Sequence, residues 1–248
     1  MRIVPGEDVR IIVAGQPKTG NVWVKHILAS LYDLEVAAEP PAGSAEALQA
    51  FVEENRFKPD SIFHEHFWPS DAFFDALPAD GCHLVTPLRH PYDAFVSLYH
   101  FAQRHPEPFL QGNDPARHMI GKPIGDPAVL HFLENDFGGY IQLSLSWLVS
   151  GRSSITRYED LCARPVQEVQ RLAREIEPVG WWRARRATRA ASAKKLRRLG
   201  GYWQVHIRAP GVDDWKNHLT EAHLSIFETR YGKLIEGLGY RTYSDLAV

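Results

Sequence analysis

One short segment restricts the fold more than any other: a β-branched run, then a loop with a lysine and a glycine, then a helical pattern. The run is VRIIVAG, residues 9–15, and residues 16–20 form the loop. Short β-branched runs that end in glycine are typical of buried strands. Apolar residues then return at the i, i+3, i+4, i+7 spacing of a helix, at Val24, Ile27, Leu28 and Leu31. Because a helix that starts here presents unpaired amides and the positive end of its dipole, we predict a phosphate site.

Strands and helices alternate along the rest of the chain. Further strands are predicted at residues 61–64 (SIFH), 83–88 (HLVTPL) and 154–158 (SITRY). Helices are predicted at about residues 91–104, 128–149 and 166–176, with an irregular proline- and glycine-rich loop at residues 105–126. This alternation predicts an α/β fold, with a central parallel sheet flanked by helices on both faces, in one domain spanning residues 1–248.

Charge and cysteine content exclude several classes of protein. The chain has 28 Lys and Arg against 30 Asp and Glu, which does not favour nucleic-acid binding. Cys82 and Cys162 are too few for a disulfide framework. No run approaches the roughly 20 apolar residues of a membrane span, and none near the start has the length of a signal sequence. We therefore expect a cytoplasmic protein without a transmembrane segment.

The loop is not a Walker A sequence. G-x-x-x-x-G-K-(S/T) requires the lysine to follow the second glycine, whereas Lys18 precedes Gly20. A P-loop kinase or NTPase is therefore the weaker alternative, and a catalytically silent nucleotide-binding protein is a second alternative.

The loop resembles that of the sulfotransferases that use 3′-phosphoadenosine 5′-phosphosulfate (PAPS), which reads approximately P-K-(S/T)-G-(T/N)-T-W. The matching residues are Pro17, Lys18, Thr19, Gly20, Asn21 and Trp23. Val22 stands where the family has threonine, so one hydroxyl for the 5′-phosphate is missing. The resemblance implies that residues 18–23 bind the donor and that Trp23 stacks on adenine.

A second segment, residues 89–99, is similar to the family's 3′-phosphate element R-(N/D/H)-P-x-D-x-x-x-S-x-Y. Arg89 follows a predicted strand, and Ser97 lies eight residues further on, inside a predicted helix. A guanidinium and a hydroxyl so placed can converge on one phosphate. The alternative is that Arg89 pairs with Asp93.

Two more segments follow in the family's order. YEDL, residues 158–161, matches an element whose tyrosine lies beside adenine, here Tyr158. Residues 208–220 resemble R-K-G-x-x-G-D-W-K-N-H-F-T, with Arg208 retained and with Ala209 and Pro210 in place of lysine and glycine. The resemblance implies a P-loop NTPase-like sulfotransferase fold, PAPS as co-substrate, adenosine 3′,5′-diphosphate as product, and no metal.

The same resemblance suggests the catalytic groups. Lys18 would stabilise the charge that develops on the leaving 5′-phosphate. HEHFWP occupies the place of the family's K-T-H-L-P element, which puts His66 on the general base; histidine has the side-chain pKa nearest neutrality. Glu65 is the alternative base, because the heparan-type branch uses a glutamate in an E-x-H-F-F element. A structural role for both is the third possibility.

The acceptor stays open. We expect a small molecule with a hydroxyl or amine, such as an aromatic compound or an alcohol, chosen by loops 34–60 and 105–127. Residues 183–198 contain eight basic residues and no acidic one, which predicts a solvated helical face or a surface for an anionic donor, acceptor or membrane. The family's dimer element K-x-x-x-T-V-x-x-x-E is only partly matched, so we expect a monomer or a different dimer. Aromatic residues after the presumed base are candidates for an acceptor pocket or for the core: Phe67, Trp68, Phe73 and Phe74.

Overall fold

The computed structural model describes residues 9–40, 43–79, 81–111, 114–192, 195–196 and 211–246. Within these ranges, five parallel strands form one sheet in the order β2-β3-β1-β4-β5. They are β1 (Arg10–Ala14), β2 (Glu35–Val36), β3 (Ser61–Glu65), β4 (His83–Leu88) and β5 (Ser154–Arg157). The predicted parallel sheet is confirmed, and the two-residue edge strand β2 is an addition to it.

Helices follow the strands and cover both faces of the sheet. In the described part of the chain they are α1 (Asn21–Tyr32), α2 (Ala45–Glu53), α3 (Asp71–Asp75), α4 (Pro91–Arg104), α5 (Glu107–Gln111), α6 (Pro127–Asn135), α7 (Gly138–Ser150), α8 (Tyr158–Ala163), α9 (Pro165–Ile176), α10 (Trp181–Ala190), α11 (Glu221–Ile226), α12 (Gly232–Gly237) and α13 (Tyr243–Leu246). Two 3₁₀ turns, Pro115–Met119 and Asp214–Asn217, and a π-helical turn, Phe227–Tyr231, complete the list. None of the described helices has the length and apolarity to cross a membrane.

The central strand β1 is buried on both faces, which is why its sequence is continuously apolar rather than alternating. Ile11 and Val13 pack with α1, α9 and α10, whereas Ile12 and Ala14 pack with α2, α3 and α7. A further cluster of buried hydrophobic residues is formed by α4, α6, α7 and the C-terminal helices. Helices on both faces were predicted from the alternating pattern.

The carboxyl ends of the strands bring four separate segments to one edge of the sheet. β1 pairs with β3 on one side and with β4 on the other, and β4 pairs with β5. The loop after β1, His66 after β3, Arg89 after β4 and Tyr158 after β5 therefore lie at this edge. Ligands bind at the carboxyl ends of the strands in open α/β sheets.

The single helix predicted at residues 128–149 is wrong, because α6 and α7 are separated at Asp136 and Phe137. Two glycines follow this break, and glycine weakens a helix. Gly138 is required there, because a Cβ would lie 2.8 Å from Cε1 of Tyr231. The loop predicted at residues 105–126 also contains structure, namely α5 and a 3₁₀ turn that the side chain of Asp114 caps.

Candidate active site

A cavity of about 1150 Å³ lies at the carboxyl edge of the sheet. Its walls come from the loop after β1, the end of β3, the residue after β4, and helices α1, α4, α5, α7, α8 and α10. Most of the predicted site residues within the described ranges line it: Lys18, Gly20, Asn21, Val22, Trp23, Glu65, His66, Arg89, Ser97 and Tyr158. Segments that are far apart in sequence thus meet in one space.

The loop after β1 has an unusual backbone. Lys18 and Gly20 both have positive φ, 71° and 107°, a region that side chains other than glycine adopt infrequently. At Gly20 a Cβ would also lie 3.0 Å from Cδ2 of Tyr158. The loop is held by the carbonyl oxygen of Gln16, which accepts hydrogen bonds from Thr19 Oγ1 and Asn21 Nδ2, each at 2.8 Å.

Thr19 differs from its neighbours. Its side chain is fully buried, its hydroxyl is used within the loop, and it does not line the cavity. The predicted contribution of Thr19 to donor binding would therefore be to hold the loop in shape.

The protonation of Lys18 is opposed by burial and by neighbouring arginines. Burial, followed by the charges of Arg104 and Arg89, lowers the pKa of Lys18 to about 7. Its ammonium lies 3.9 Å from the centre of the Phe101 ring, a cation–π contact. An anion bound beside Lys18 would restore its proton, because opposite charge favours the charged form.

Arg89 is buried, with 7% of its surface exposed. Its Nη1 and Nη2 donate to the carbonyl oxygens of Lys18 (3.4 Å) and Gly211 (3.1 Å), and its guanidinium lies 4.1 Å from the centre of the Tyr158 ring. Nε of Arg89 has no hydrogen-bond partner among the described residues. A buried donor without a partner is costly, so this atom fits a site for an anion.

The alternative pairing of Arg89 with Asp93 does not occur in the described structure. The carboxylate of Asp93, 1% exposed, instead accepts the backbone N–H groups of Asp213 and Trp215, both at 2.9 Å. Asp93 therefore holds the start of the C-terminal segment against α4. Ser97, one turn further along α4, is half-buried and lines the cavity.

Trp23 and Tyr158 form an aromatic wall near Arg89. Their ring centroids are 5.6 Å apart at an angle of 67°, and both line the cavity. Arg208, Ala209 and Pro210, which the sequence assigned to the same end of the site, lie outside the described residues.

His66 is oriented by the loop itself. Its Nδ1 lies 2.7 Å from the carbonyl oxygen of Gly15. Because a carbonyl only accepts, Nδ1 carries a proton, and in the neutral form of the ring the lone pair lies on Nε2. Glu65 Oε1 accepts the backbone N–H of His66 at 2.6 Å. Both side chains line the cavity.

A buried ionic cluster beside His66 was not predicted. Lys25 Nζ lies 2.9 Å from both Glu39 Oε1 and His64 Nδ1, and His64 also contacts Glu39. Burial alone would raise the pKa of Glu39, but the hydrogen bond and charge of His64, and then the charge of Lys25, lower it to about 2. Burial lowers the pKa of His64 despite the opposing carboxylate of Glu39. Glu39 and His64 line the cavity; Glu39 is far from both in sequence, and no local pattern marks the cluster.

The structure divides the aromatic residues that follow the presumed base between the two alternatives, core and cavity wall. Phe67 and Phe73 are 1% exposed and pack in the core near Trp147. Of the four predicted aromatic residues, Trp68 lines the cavity. Phe109 also lines the cavity and lies in the loop 105–127 that the sequence analysis assigned to acceptor choice. Other apolar side chains in the wall come from α4 and α7 and were not predicted, among them Leu98, Phe101, Tyr140 and Leu143.

Comparison with known proteins gives a consistent result. The sulfotransferase domain family matches residues 8–239. Sulfotransferase 6B1 of Danio rerio is 24% identical over 251 residues, which cover 93% of this chain and 79% of that protein.

Solved structures show the same fold. The crystal structure of mouse sulfotransferase SULT7A1 complexed with PAP superposes with a TM-score of 0.70 at 16% identity, covering 95% of this chain and 85% of that one. Retinol dehydratase in complex with androsterone and the inactive cofactor PAP superposes with a TM-score of 0.60 at 12% identity, covering 95% and 82%.

Proposed function

The chain belongs to the sulfotransferase domain family, and on that premise we propose that it transfers a sulfuryl group from PAPS to a hydroxyl or amine of a small-molecule acceptor. The product of the donor is adenosine 3′,5′-diphosphate, the PAP of the two solved relatives. One observation supports this function above all. A single cavity joins a strand-to-helix phosphate loop, a buried arginine whose Nε has no partner among the described residues, and a histidine whose Nδ1 faces the Gly15 carbonyl.

The donor would lie across the loop and the start of α1. The backbone amides at the N-terminus of α1 and the ammonium of Lys18 would bind the 5′-phosphosulfate. Arg89 and Ser97 would bind the 3′-phosphate, and Trp23 and Tyr158 would contact adenine. Support comes from Nε of Arg89, which has no hydrogen-bond partner in the described part of the chain, and from the positive charges of Arg104 and Arg89 near Lys18, whose repulsion a bound anion would relieve.

The transfer itself is an in-line displacement at sulfur. The acceptor oxygen or nitrogen forms a bond to sulfur while the bond from sulfur to the 5′-phosphate oxygen breaks, and that oxygen leaves with the electron pair. Lys18 stabilises the resulting negative charge. The proton of the acceptor passes to Nε2 of His66, which the Gly15 carbonyl holds in the right tautomer.

His66 is preferred to Glu65 as the base for a geometric reason. The hydrogen bond from Nδ1 to the Gly15 carbonyl orients the His66 ring. Oε1 of Glu65, in contrast, already accepts a hydrogen bond from the backbone N–H of His66. Glu65 remains the alternative, because its second carboxylate oxygen is also a possible proton acceptor.

The function is tested by two measurements on the purified protein. Adenosine 3′,5′-diphosphate should raise the melting temperature, whereas ATP with magnesium should not. Radiolabelled sulfate should then pass from PAPS to at least one member of a panel of phenols, alcohols, amines and sugars. Stabilisation by ATP with hydrolysis would favour the NTPase alternative, and binding without transfer to any acceptor would favour the silent binding protein.

A further inference from the structure

The end of α10 reaches the nucleotide site. Near the start of α10, Arg183 Nε donates to the carbonyl oxygen of Leu31, at the end of α1 (2.7 Å). Near the end of α10, Thr188 and Arg189 line the cavity together with Asn21, the first residue of α1. The two helices therefore run antiparallel, with Ala184 and Ala187 buried in the cluster between α1 and α10. This arrangement brings the last turn of α10 beside the phosphate loop.

We propose that Arg189 is a further donor-binding residue, whose guanidinium pairs with an anionic group of the bound nucleotide. This inference rests on the function proposed above. It assigns a role to one residue of the basic segment, residues 183–198, and leaves Arg186 on the solvated face of α10.

The described wall of the cavity carries the carboxylates of Glu39, Glu65, Asp114 and Asp136, so the cations there that can pair with an anion are few. Among the described residues that line it, the lysine and arginine side chains are Lys18, Arg89 and Arg189. PAPS carries negative charge on both its 3′-phosphate and its phosphosulfate. Lys18, with a pKa of about 7, is only partly protonated in the free protein near neutrality, whereas an arginine keeps its charge. Arg189 is thus one of two permanent cations in the described wall.

The C-terminal end of α10 favours a cation at this place. The last carbonyl groups of a helix carry a partial negative charge, which repels an approaching anion and attracts a cation. Arg189 lies in the last turn of α10, is exposed and lines the cavity, so it offsets the negative end of the helix dipole at the cavity wall. Because the side chain is exposed, its contribution should be screened by salt.

Arg186 offers a matched control. It lies three residues before Arg189 on the same helix, is also exposed, and does not line the cavity. Replacing either arginine removes one positive charge from the same helix. A difference in Kd between the two variants is therefore due to the position of the arginine and not to the net charge of the protein.

The test is a calorimetric titration of adenosine 3′,5′-diphosphate into the wild type, Arg189→Ala and Arg186→Ala at low and high salt. We expect Arg189→Ala to raise the Kd about three- to tenfold at low salt and less at high salt, and Arg186→Ala to change it less than about twofold. Arg189→Lys should recover most of the affinity. The KM for PAPS should rise with Arg189→Ala while kcat at saturation is unchanged. Equal Kd values for the two alanine variants would overturn the proposal.

A second ligand locates the contact. If the loss in Arg189→Ala disappears with adenosine 5′-monophosphate, Arg189 pairs with the 3′-phosphate. If the loss persists, Arg189 acts on the rest of the nucleotide. Failure of the proposed function has a different signature, because the wild type itself would then not bind adenosine 3′,5′-diphosphate.

Discussion

His66 donates a hydrogen bond from Nδ1 to the carbonyl oxygen of Gly15 over 2.7 Å. Gly15 lies between the last residue of the central strand, Ala14, and the phosphate loop, residues 16–20. The proposed base is therefore hydrogen-bonded to the residue that connects strand β1 to the donor loop. The pairing of Ala14 with Glu65 in the sheet keeps them in register. Their relative position is therefore set by the sheet rather than by a flexible loop.

The first prediction concerns the base. His66→Ala should lower kcat by about 10²- to 10⁴-fold, the usual contribution of a positioned acid or base, and leave the Kd for adenosine 3′,5′-diphosphate unchanged. Steady-state rates with PAPS and calorimetric titration provide the two measurements. Glu65→Gln is the matched control and should lower kcat much less than His66→Ala does. Turnover of His66→Ala near the wild-type rate, together with a large loss in Glu65→Gln, would transfer the role to Glu65.

A second prediction concerns Lys18. Lys18→Ala should lower kcat by about 10²- to 10³-fold, because the charge it stabilises is largest in the transition state. Its effect on the affinity for adenosine 3′,5′-diphosphate should be smaller than its effect on kcat. Equal losses in both quantities would mean that Lys18 only binds the nucleotide.

Nucleotide binding should also depend on pH through Lys18. Its pKa in the free protein is about 7, and a bound anion raises it. Between these two values the complex holds more protons than the free protein, so affinity should fall as the pH rises above about 7. At pH 8 the binding heat should therefore vary with the ionisation enthalpy of the buffer. Lys18→Ala should abolish that proton uptake; if it persists, another group titrates.

Asp93 should link stability to nucleotide binding. Asp93→Asn replaces one acceptor by a donor that faces a backbone N–H, and leaving a buried group unsatisfied costs about 1–3 kcal/mol. We expect a lower free energy of unfolding in urea and weaker binding of adenosine 3′,5′-diphosphate, because Gly211, two residues before the Asp213 amide that Asp93 holds, accepts a hydrogen bond from Arg89. Asp126 is the control: it also accepts a backbone N–H, from Ala128, and does not line the cavity. Asp126→Asn should lower stability only.

Lys25 and Glu39, in the ionic cluster beside His66, should be strongly coupled in their effects on the free energy of unfolding. Glu39→Gln leaves Lys25, 3% exposed, without its carboxylate partner, and breaking a buried ion pair is strongly destabilising. Because the side chain of Glu39 is 36% exposed, we expect the free energy of unfolding to fall by less than it would for a fully buried pair. The double variant Lys25→Met with Glu39→Gln should be more stable than Glu39→Gln alone in urea unfolding. Additive losses would show that the two residues act independently.

Local patterns in the sequence determined much of the fold. Helix α4 was predicted at its observed bounds, because Pro91 suits the first helical turn and the pattern of apolar residues is local. Strand β4 was also predicted at its bounds. The resemblance of the motifs to those of the sulfotransferase family then implied that Lys18, Arg89, Ser97 and Tyr158 belong to one donor site.

Other features were decided only by the tertiary structure, because they depend on partners far away in sequence. Tyr231 is packed against Gly138, where the predicted helix is interrupted. Phe67 and Phe73 lie in the core because α7 brings Trp147 against them. Arg189 reaches the cavity because α10 packs antiparallel to α1. The sequence by itself determined the elements and the donor motifs, whose signals are local; packing between distant segments decided which side chains share the cavity and in what state of charge.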